Sequence, residues 1–268
     1  TQRVKAQLQG MGMDEFPEMN PGEGKVVGKF QLSNLQRAWK RVGFSVSQDD
    51  TRPVLTGVLW SLDEGRMVTT DGFRLSLMEF EGLKGEGGKL LVSGVFLREA
   101  LGVMEELGLS EVEMRYVEEK KQVLFIAEDV LILGRIIDGE YPQYQAIMPK
   151  ESSIVFSADR KDFTDAVKTA AIFARDNANI VKFEVDAEGT IISANTPQVG
   201  ENQVKLDAEF ESPGNSEIAF NSKYILQALS ALEADRVSFG MSDSLRPGVV
   251  KEAGDEDYLH VVMPVRVK

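Results

Sequence analysis

The chain has 268 residues with 43 acidic and 30 basic side chains, which gives a formal net charge of −13. It contains no cysteine and one histidine, which excludes disulfides, thiolate nucleophiles and Cys- or His-rich metal sites. No apolar run approaches the roughly 20 residues of a membrane helix, and the first 20 residues lack the apolar core of a signal peptide. We therefore expect a cytoplasmic protein of about two domains, without a metal or other cofactor.

From Val26 the chain order predicts an α+β unit. A strand leads into a helix in "LSNLQRAWKRVG", where Leu35, Ala38 and Val42 share one apolar face. Paired strands meet at a hairpin turn at residues 63–65. A Gly-rich link then leads to a strand, a second helix in "SGVFLREALGVMEELG" and three further strands.

The same order recurs from Ser153, with helices in "DRKDFTDAVKTAAIFAR" and "NSKYILQALSALEA". The offset between the copies is roughly 125 residues, which is the size of a whole domain rather than of a solenoid repeat. The Pro-containing segment "DGEYPQYQAIMPKESS" links the copies. We predict domains at residues 26–148 and 149–268, each with antiparallel sheet and two helices.

Residues 1–25 belong to neither copy. "VKAQLQGM" predicts one strand, and "DEFPEMNPGEG" is similar to the linker between the copies, with an acidic residue, an aromatic residue and a proline. We interpret this segment as the remnant and linker of a preceding copy.

Basic side chains follow the helix faces opposite the predicted apolar faces. Solvated helix surfaces are commonly charged, so this pattern alone favours an ordinary surface. In a strongly acidic protein, however, a local basic surface is also what attraction to a nucleic-acid backbone requires. The side chains predicted to form this surface and to face DNA are Arg37, Lys40, Arg41, Arg98, Lys161, Lys168, Arg175 and Lys223.

Five segments resemble the bacterial sliding clamps, the β subunits of DNA polymerase III: "TRPVLTGVLW", "TTDGFRL", "IIDGEYPQYQAIMPK", "EIAFNSKYILQAL" and "VVMPVRV". They cover the chain from about residue 26 to its end. The resemblance implies tandem clamp domains with helices inside and sheets outside. It also implies that two chains of three domains each close head to tail into a ring around duplex DNA. Such a ring tethers the polymerase, confers processivity and has no catalytic site.

The resemblance further implies a pocket that receives a short, partly apolar peptide from partner proteins. One wall is the turn in "TTDGFRL" and the other is the C-terminal strand, whose exposed backbone could accept an extended peptide. Many family members have His where this chain has Phe73. Carried over by position, the pocket is Leu55, Thr70, Gly72, Phe73, Arg74, Leu75, Pro142, Ile147, Val261, Val262, Met263, Pro264, Val265 and Arg266.

The partners that the family implies are sequence-independent duplex DNA, the catalytic subunit of DNA polymerase III and the clamp loader. Other polymerases, mismatch-repair proteins and ligase would use the peptide pocket. Ala171, Ile172 and Phe173 match the segment that meets the first domain of the other chain in a full-length homodimer. Because most of a first domain is missing, we expect this chain to be a fragment that cannot close the ring.

Two other interpretations stay open. One is a duplicated protein-interaction module that does not bind DNA. The other is an acid/base hydrolase that uses some of the acidic residues, although no carboxylate pair stands at a defined spacing and the lone His260 is no catalytic signal.

Overall fold

The computed structural model describes residues 5–12, 22–80, 82–83, 88–175, 177–186, 188–196 and 200–266. These ranges contain four α-helices: α1 (Leu32–Val42), α2 (Gly94–Glu106), α3 (Arg160–Ala174) and α4 (Ser222–Ala231). Within the described residues, none of the helices is long and apolar enough to cross a membrane.

The strands of the first unit are β1 (Lys25–Gln31), β2 (Gly57–Ser61), β3 (Arg66–Thr70), β4 (Arg74–Glu79), β5 (Lys89–Ser93), β6 (Glu111–Val117), β7 (Gln122–Ala127) and β8 (Val130–Arg135). Those of the second unit are β9 (Ile154–Asp159), β10 (Ile180–Asp186), β11 (Gly189–Thr196), β12 (Gly200–Leu206), β13 (Ala208–Ser212), β14 (Ser216–Asn221), β15 (Arg236–Met241), β16 (Gly248–Glu252) and β17 (Tyr258–Val262). The predicted repeat and the α+β class are confirmed, with β13 as an additional strand in the second unit.

Local sequence explains where α3 starts and which face it buries. The carboxylate of Asp159 accepts hydrogen bonds from the backbone N–H groups of Lys161 and Asp162, which caps the start of α3. Phe163 and Val167, one turn apart, are completely buried. Each helix therefore packs an apolar stripe on the sheets of its own unit.

One nine-stranded sheet joins the two units. Its strand order is β13-β9-β15-β16-β17-β4-β3-β2-β5, and every pairing is antiparallel. The pairing of β17 with β4 crosses from the second unit to the first and places Tyr258 opposite Met78, and Val262 opposite Arg74. Below, we call this pairing the seam.

Two further sheets end in strands that have a single neighbour in the described chain. The first has the order β1-β6-β7-β8 and ends in β8; the second has the order β12-β11-β10-β14 and ends in β12. In the repeat, β8 corresponds to β17 and β12 corresponds to β4. The two strands that form the seam between the units thus have counterparts whose outer edges are open.

The helices lie side by side in the order α2, α1, α4, α3, because α1 contacts both α2 and α4, and α4 contacts α3. The α1–α4 contact is the helical part of the boundary between the units. It brings the cations of α1 next to the residues that follow α4, which matters for the charge of this face.

Two local predictions are wrong. Residues 5–12 form no strand and are exposed, since they have no neighbouring strand with which to exchange hydrogen bonds. The segment "NQVKLDAEFES", predicted as one strand, is divided between β12 and β13. The chain changes sheets at Asp207, because Leu206 pairs with Thr190 while Ala208 pairs with Ala158.

Candidate functional site

The turn between β3 and β4 is closed by its own side chains. Thr70 donates through Oγ1 to the carbonyl of Arg74 at 2.6 Å, and the same hydroxyl accepts from the N–H of Gly72 at 3.0 Å. Asp71 accepts from the N–H groups of Phe73 and Arg74 at 2.9 and 3.1 Å. Gly72 has φ of 93°, a conformation that favours glycine. The sequence "TTDGFR" therefore fixes a rigid turn that leaves the ring of Phe73 exposed.

Arg74 is a buried connector between the units rather than an exposed cation. Its Nε donates to Asp71 at 2.9 Å and its Nη2 to the carbonyl of Phe44 at 2.6 Å, while Nη1 donates to Gln227 on α4. The guanidinium also lies 4.5 Å from the ring centroid of Tyr224. The charge of Arg74 is therefore satisfied by acceptors within the chain.

The C-terminal strand has no open edge in the seam. β17 pairs with β16 on one side and with β4 on the other. Beyond it, the N–H of Met263 donates to the carbonyl of Phe73, and the N–H of Val265 donates to the carbonyl of Ala219, at 2.9 and 2.8 Å. The prediction of an exposed backbone edge on the C-terminal strand is therefore wrong for β17, which is paired on both sides.

A cleft with a volume of about 590 Å³ lies at the end of the seam beside Met263. It is shaped by the linker between the units and by the loop between β15 and β16. Ile147 and Leu245 are large apolar side chains that remain 43% and 65% exposed there. The lining residues are Ala146, Ile147, Met148, Pro149, Lys150, Glu151, Leu245, Arg246, Pro247 and Met263.

Sequence reasoning missed Leu245 and Arg246. Asp243 accepts from the N–H groups of both residues at 2.9 and 3.1 Å, which folds the β15–β16 loop into a turn that presents them at the cleft. The signal was an apolar residue inside an otherwise polar turn, "SDSLRPG". A turn residue of this kind is exposed, so its apolar side chain is available to a ligand.

The predicted pocket residues divide by exposure. At least partly exposed are Gly72, Phe73, Pro142, Ile147, Met263, Pro264, Val265 and Arg266. Buried are Leu55, Thr70, Arg74, Leu75, Val261 and Val262.

Two of the buried residues pack beneath the linker that shapes the cleft. Leu75 and Val261 have no exposed surface and share an apolar cluster with Tyr144 and Met148 of the linker. Alternation predicts that only one of two consecutive strand residues is covered, yet Val261 and Val262 are both at 0% exposure. The reason is that both faces of the sheet are covered at the seam, one by helices and one by the linker.

The cations of α1 are engaged by carboxylates of the second unit. Arg37 and Lys40 lie 3.4 and 3.3 Å from the two carboxylate oxygens of Glu233, and all three side chains are about half exposed. Arg41, predicted on the exposed face, is 1% exposed and donates to Glu252 at 2.8 Å and to Asp255 at 2.7 Å. The prediction that Arg41 faces DNA is therefore wrong.

This buried ion-pair cluster has a clear electrostatic signature. Burial by itself lowers the pKa of the Arg41 guanidinium, but the hydrogen bond to Asp255 and the adjacent carboxylates outweigh it and raise that pKa. Burial by itself raises the pKa of Asp255, but the hydrogen bonds from Arg41 and from the N–H of Asp257, together with the nearby charges of Arg41 and Arg37, outweigh it, so this pKa is lowered. Both groups are held in their charged forms.

The remaining predicted cations lie on exposed helix surfaces. Four of them are exposed and form no ion pair within the part of the chain that the structure describes: Lys161, Lys168 and Arg175 on or at the end of α3, and Lys223 on α4. Arg98 on α2 is paired with Glu99 at 2.9 Å. The unpaired positive charge of the helical face is thus concentrated on the second unit.

The segment predicted to contact the first domain of the other chain lies at the end of α3. Ile172 is 55% exposed, and Ala171 and Phe173 are partly buried. The carbonyl of Phe173 accepts a hydrogen bond from Thr196 at the end of β11, and α3 also packs on β12. The segment therefore adjoins the open edge of β12.

Comparison with known proteins identifies the family. Residues 29–143 match the family described as DNA polymerase III beta subunit, central domain, and residues 145–266 match its C-terminal domain. The chain belongs to the DNA polymerase III β-subunit family. It is a sliding clamp of bacterial DNA replication, and it is a non-catalytic subunit.

Similar proteins agree in sequence and in fold. The β sliding clamps of Staphylococcus aureus and Bacillus subtilis are each 27% identical to this chain, over 97% and 98% of it and over 69% and 71% of their own lengths. The crystal structure of the β subunit from Thermotoga maritima is 28% identical and superposes with a TM-score of 0.89, covering 96% of this chain and 70% of that one. This clamp chain therefore spans about 70% of the length of these relatives.

Proposed function

We propose that this sliding clamp contacts duplex DNA through its helical face and holds partner proteins in the cleft beside Met263. The observation that carries the proposal is that a single strand pairing, the seam, positions both the helical face and the cleft. The pairing of β17 with β4 sets the four helices side by side on one face and forms the cleft at its end. DNA-backbone contact needs only such a basic surface, without residues that read bases.

The partners would be proteins that carry short, partly apolar peptides. Ile147, Leu245 and Met263 provide an adaptable apolar surface between the two units, a common location for binding sites. The DNA polymerase III catalytic subunit, the clamp loader, other polymerases, mismatch-repair proteins and ligase are the proposed partners.

Ring closure would use the two open sheet edges. The outer edges of β8 and β12 occupy the same positions in the repeat as the two strands of the seam. We infer that each pairs with a further clamp domain, and that Ala171, Ile172 and Phe173 lie in the contact at β12. In this proposal a homodimer closes when both edges are paired in this way.

Charge reversal on α3 tests the DNA contact. The variant Lys161→Glu, Lys168→Glu, Arg175→Glu should weaken salt-dependent binding of a fluorescent 30-base-pair duplex in an anisotropy titration. The control is Lys89→Glu, Lys150→Glu, Lys205→Glu, which makes the same change in net charge away from the helices.

If both variants bind like the original chain, the surface does not contact DNA. That outcome would favour the second candidate, a protein-interaction module without DNA binding. The observation in favour of this candidate is that Arg37, Lys40, Arg41 and Arg98 already have carboxylate partners within the chain.

A further inference from the structure

Glu233 bridges two cations of α1 from the other unit. Its Oε2 lies 3.4 Å from Arg37 Nε and its Oε1 lies 3.3 Å from Lys40 Nζ. The three side chains are 46% to 51% exposed, so the cluster is accessible to solvent and to an approaching anion. One carboxylate therefore neutralises two of the cations that sequence analysis assigned to DNA.

The position of Glu233 is fixed by the buried cluster behind it. Its backbone N–H and that of Ala234 donate to one carboxylate oxygen of Glu252. The other oxygen of Glu252 accepts from Arg41 at 2.8 Å in a site with almost no solvent exposure. Because Arg41 lies on α1, the backbone of Glu233 is anchored to the same helix whose cations its side chain contacts.

We propose that Glu233 is an internal counter-anion that occupies the place of a DNA phosphate on α1. A carboxylate and a phosphate offer the same anionic oxygens to Arg and Lys, so the two compete for Arg37 and Lys40. This inference rests on the proposed DNA-binding function and adds to it. DNA gains contacts on α1 only by displacing Glu233. The affinity of the helical face for DNA is therefore lower than its number of cations suggests.

The consequence is a measurable salt dependence. Each phosphate neutralised by a protein cation steepens the slope of log affinity against log salt by about 0.9 for B-form DNA. With Glu233 in place, Arg37 and Lys40 contribute little to this slope because they exchange one anion for another. Removing the charge of Glu233 should release both cations for DNA.

The test is Glu233→Gln, which keeps the length and most of the shape of the side chain. At low salt we expect a 30-base-pair duplex to bind about two- to fivefold tighter, in line with the loss of a competing surface ion pair. The salt slope should steepen by roughly 1 to 2. Glu209→Gln is the matched control: Glu209 lies on β13, the edge strand of the nine-stranded sheet, and the variant makes the same charge change at its surface ion pair with Arg236.

A double-mutant cycle separates this effect from changes in net charge. In a background of Arg37→Gln and Lys40→Gln, adding Glu233→Gln should leave DNA binding unchanged. An equal gain from Glu209→Gln, or a persisting gain in that background, would overturn the inference. Thermal unfolding of each variant establishes that it is folded.

Failure of the inference can be told apart from failure of the proposed function. If charge reversal on α3 weakens DNA binding but Glu233→Gln changes nothing, the counter-anion role is overturned and the DNA contact stands. If the original chain shows no salt-dependent DNA binding, the DNA contact itself is overturned, and the inference falls with it.

Discussion

His260 Nδ1 lies 2.8 Å from Ser76 Oγ, and the two residues stand directly opposite each other in the pairing of β17 with β4. The imidazole is completely buried and lies against the ring of Phe44, with centroids 5.0 Å apart. Burial, together with the nearby charge of Arg74, lowers the pKa of His260 to about 3. A neutral histidine is thus built into the seam.

This arrangement predicts that the clamp loses stability between pH 7 and pH 5. The folded-state pKa lies below the unfolded value of about 6.5, so below that pH the unfolded chain binds a proton that the folded chain does not. The stabilisation is complete above about pH 6.5 and is lost as the pH falls towards 3. We expect the free energy of unfolding to drop by about 2 kcal/mol from pH 7 to pH 5, measured by urea denaturation.

His260 is the only histidine of the chain, which makes this pH window selective for one side chain. The control variant His260→Gln should be less stable at pH 7 but nearly independent of pH over the same range. A wild-type stability that stays constant from pH 7 to pH 5 would contradict the prediction.

Two arginines of α1 should differ sharply in their contribution to stability. Arg41→Gln should lower the free energy of unfolding by about 3 kcal/mol, because it leaves the buried carboxylate of Glu252 and the partly buried carboxylate of Asp255 without their cation. Arg37→Gln removes a half-exposed ion pair and should cost less than about 0.5 kcal/mol. Urea denaturation at pH 7 measures both, and similar values for the two variants would contradict the burial of Arg41.

Arg74 should not be replaceable by lysine. Its three nitrogens donate to acceptors on the turn, on the segment after α1 and on α4, and one ammonium group cannot reach all three. We expect Arg74→Lys to lower the free energy of unfolding by about 2 kcal/mol. The matched variant is Arg52→Lys at an exposed residue that touches the same turn through the carbonyl of Asp71, and it should stay within about 0.5 kcal/mol.

Leu245 should contribute to peptide binding and not to folding. Because its side chain is 65% exposed at the cleft, Leu245→Ser should leave the thermal midpoint nearly unchanged. It should weaken binding of a fluorescent clamp-binding peptide by about tenfold, the effect of losing a partly buried leucine contact. Leu107→Ser, at a residue that is 56% exposed beyond α2, is the control and should bind normally. Equal affinities for the two variants would remove Leu245 from the site.

Sequence patterns were reliable where a short stretch determines its own structure. The apolar spacing of Leu35, Ala38 and Val42 predicted the buried face of α1, and all three are buried. The "TTDGFR" segment likewise determines its turn, since Thr70 and Asp71 bond to backbone groups within four residues. The resemblance of several such segments was sufficient for the family.

The tertiary structure alone decided which charges and edges are free. Arg41 occupies an exposed position on the helical wheel of α1, yet it is buried, because α1 packs against the second unit and meets Glu252 from 211 residues along the chain. The last strand likewise has no open edge, because β4 pairs with it across the seam. The sequence determined the elements, their order and their faces through local hydrogen bonds and periodic burial. Contacts between the two units determined the rest, because burial and charge at a boundary depend on what lies on the other side.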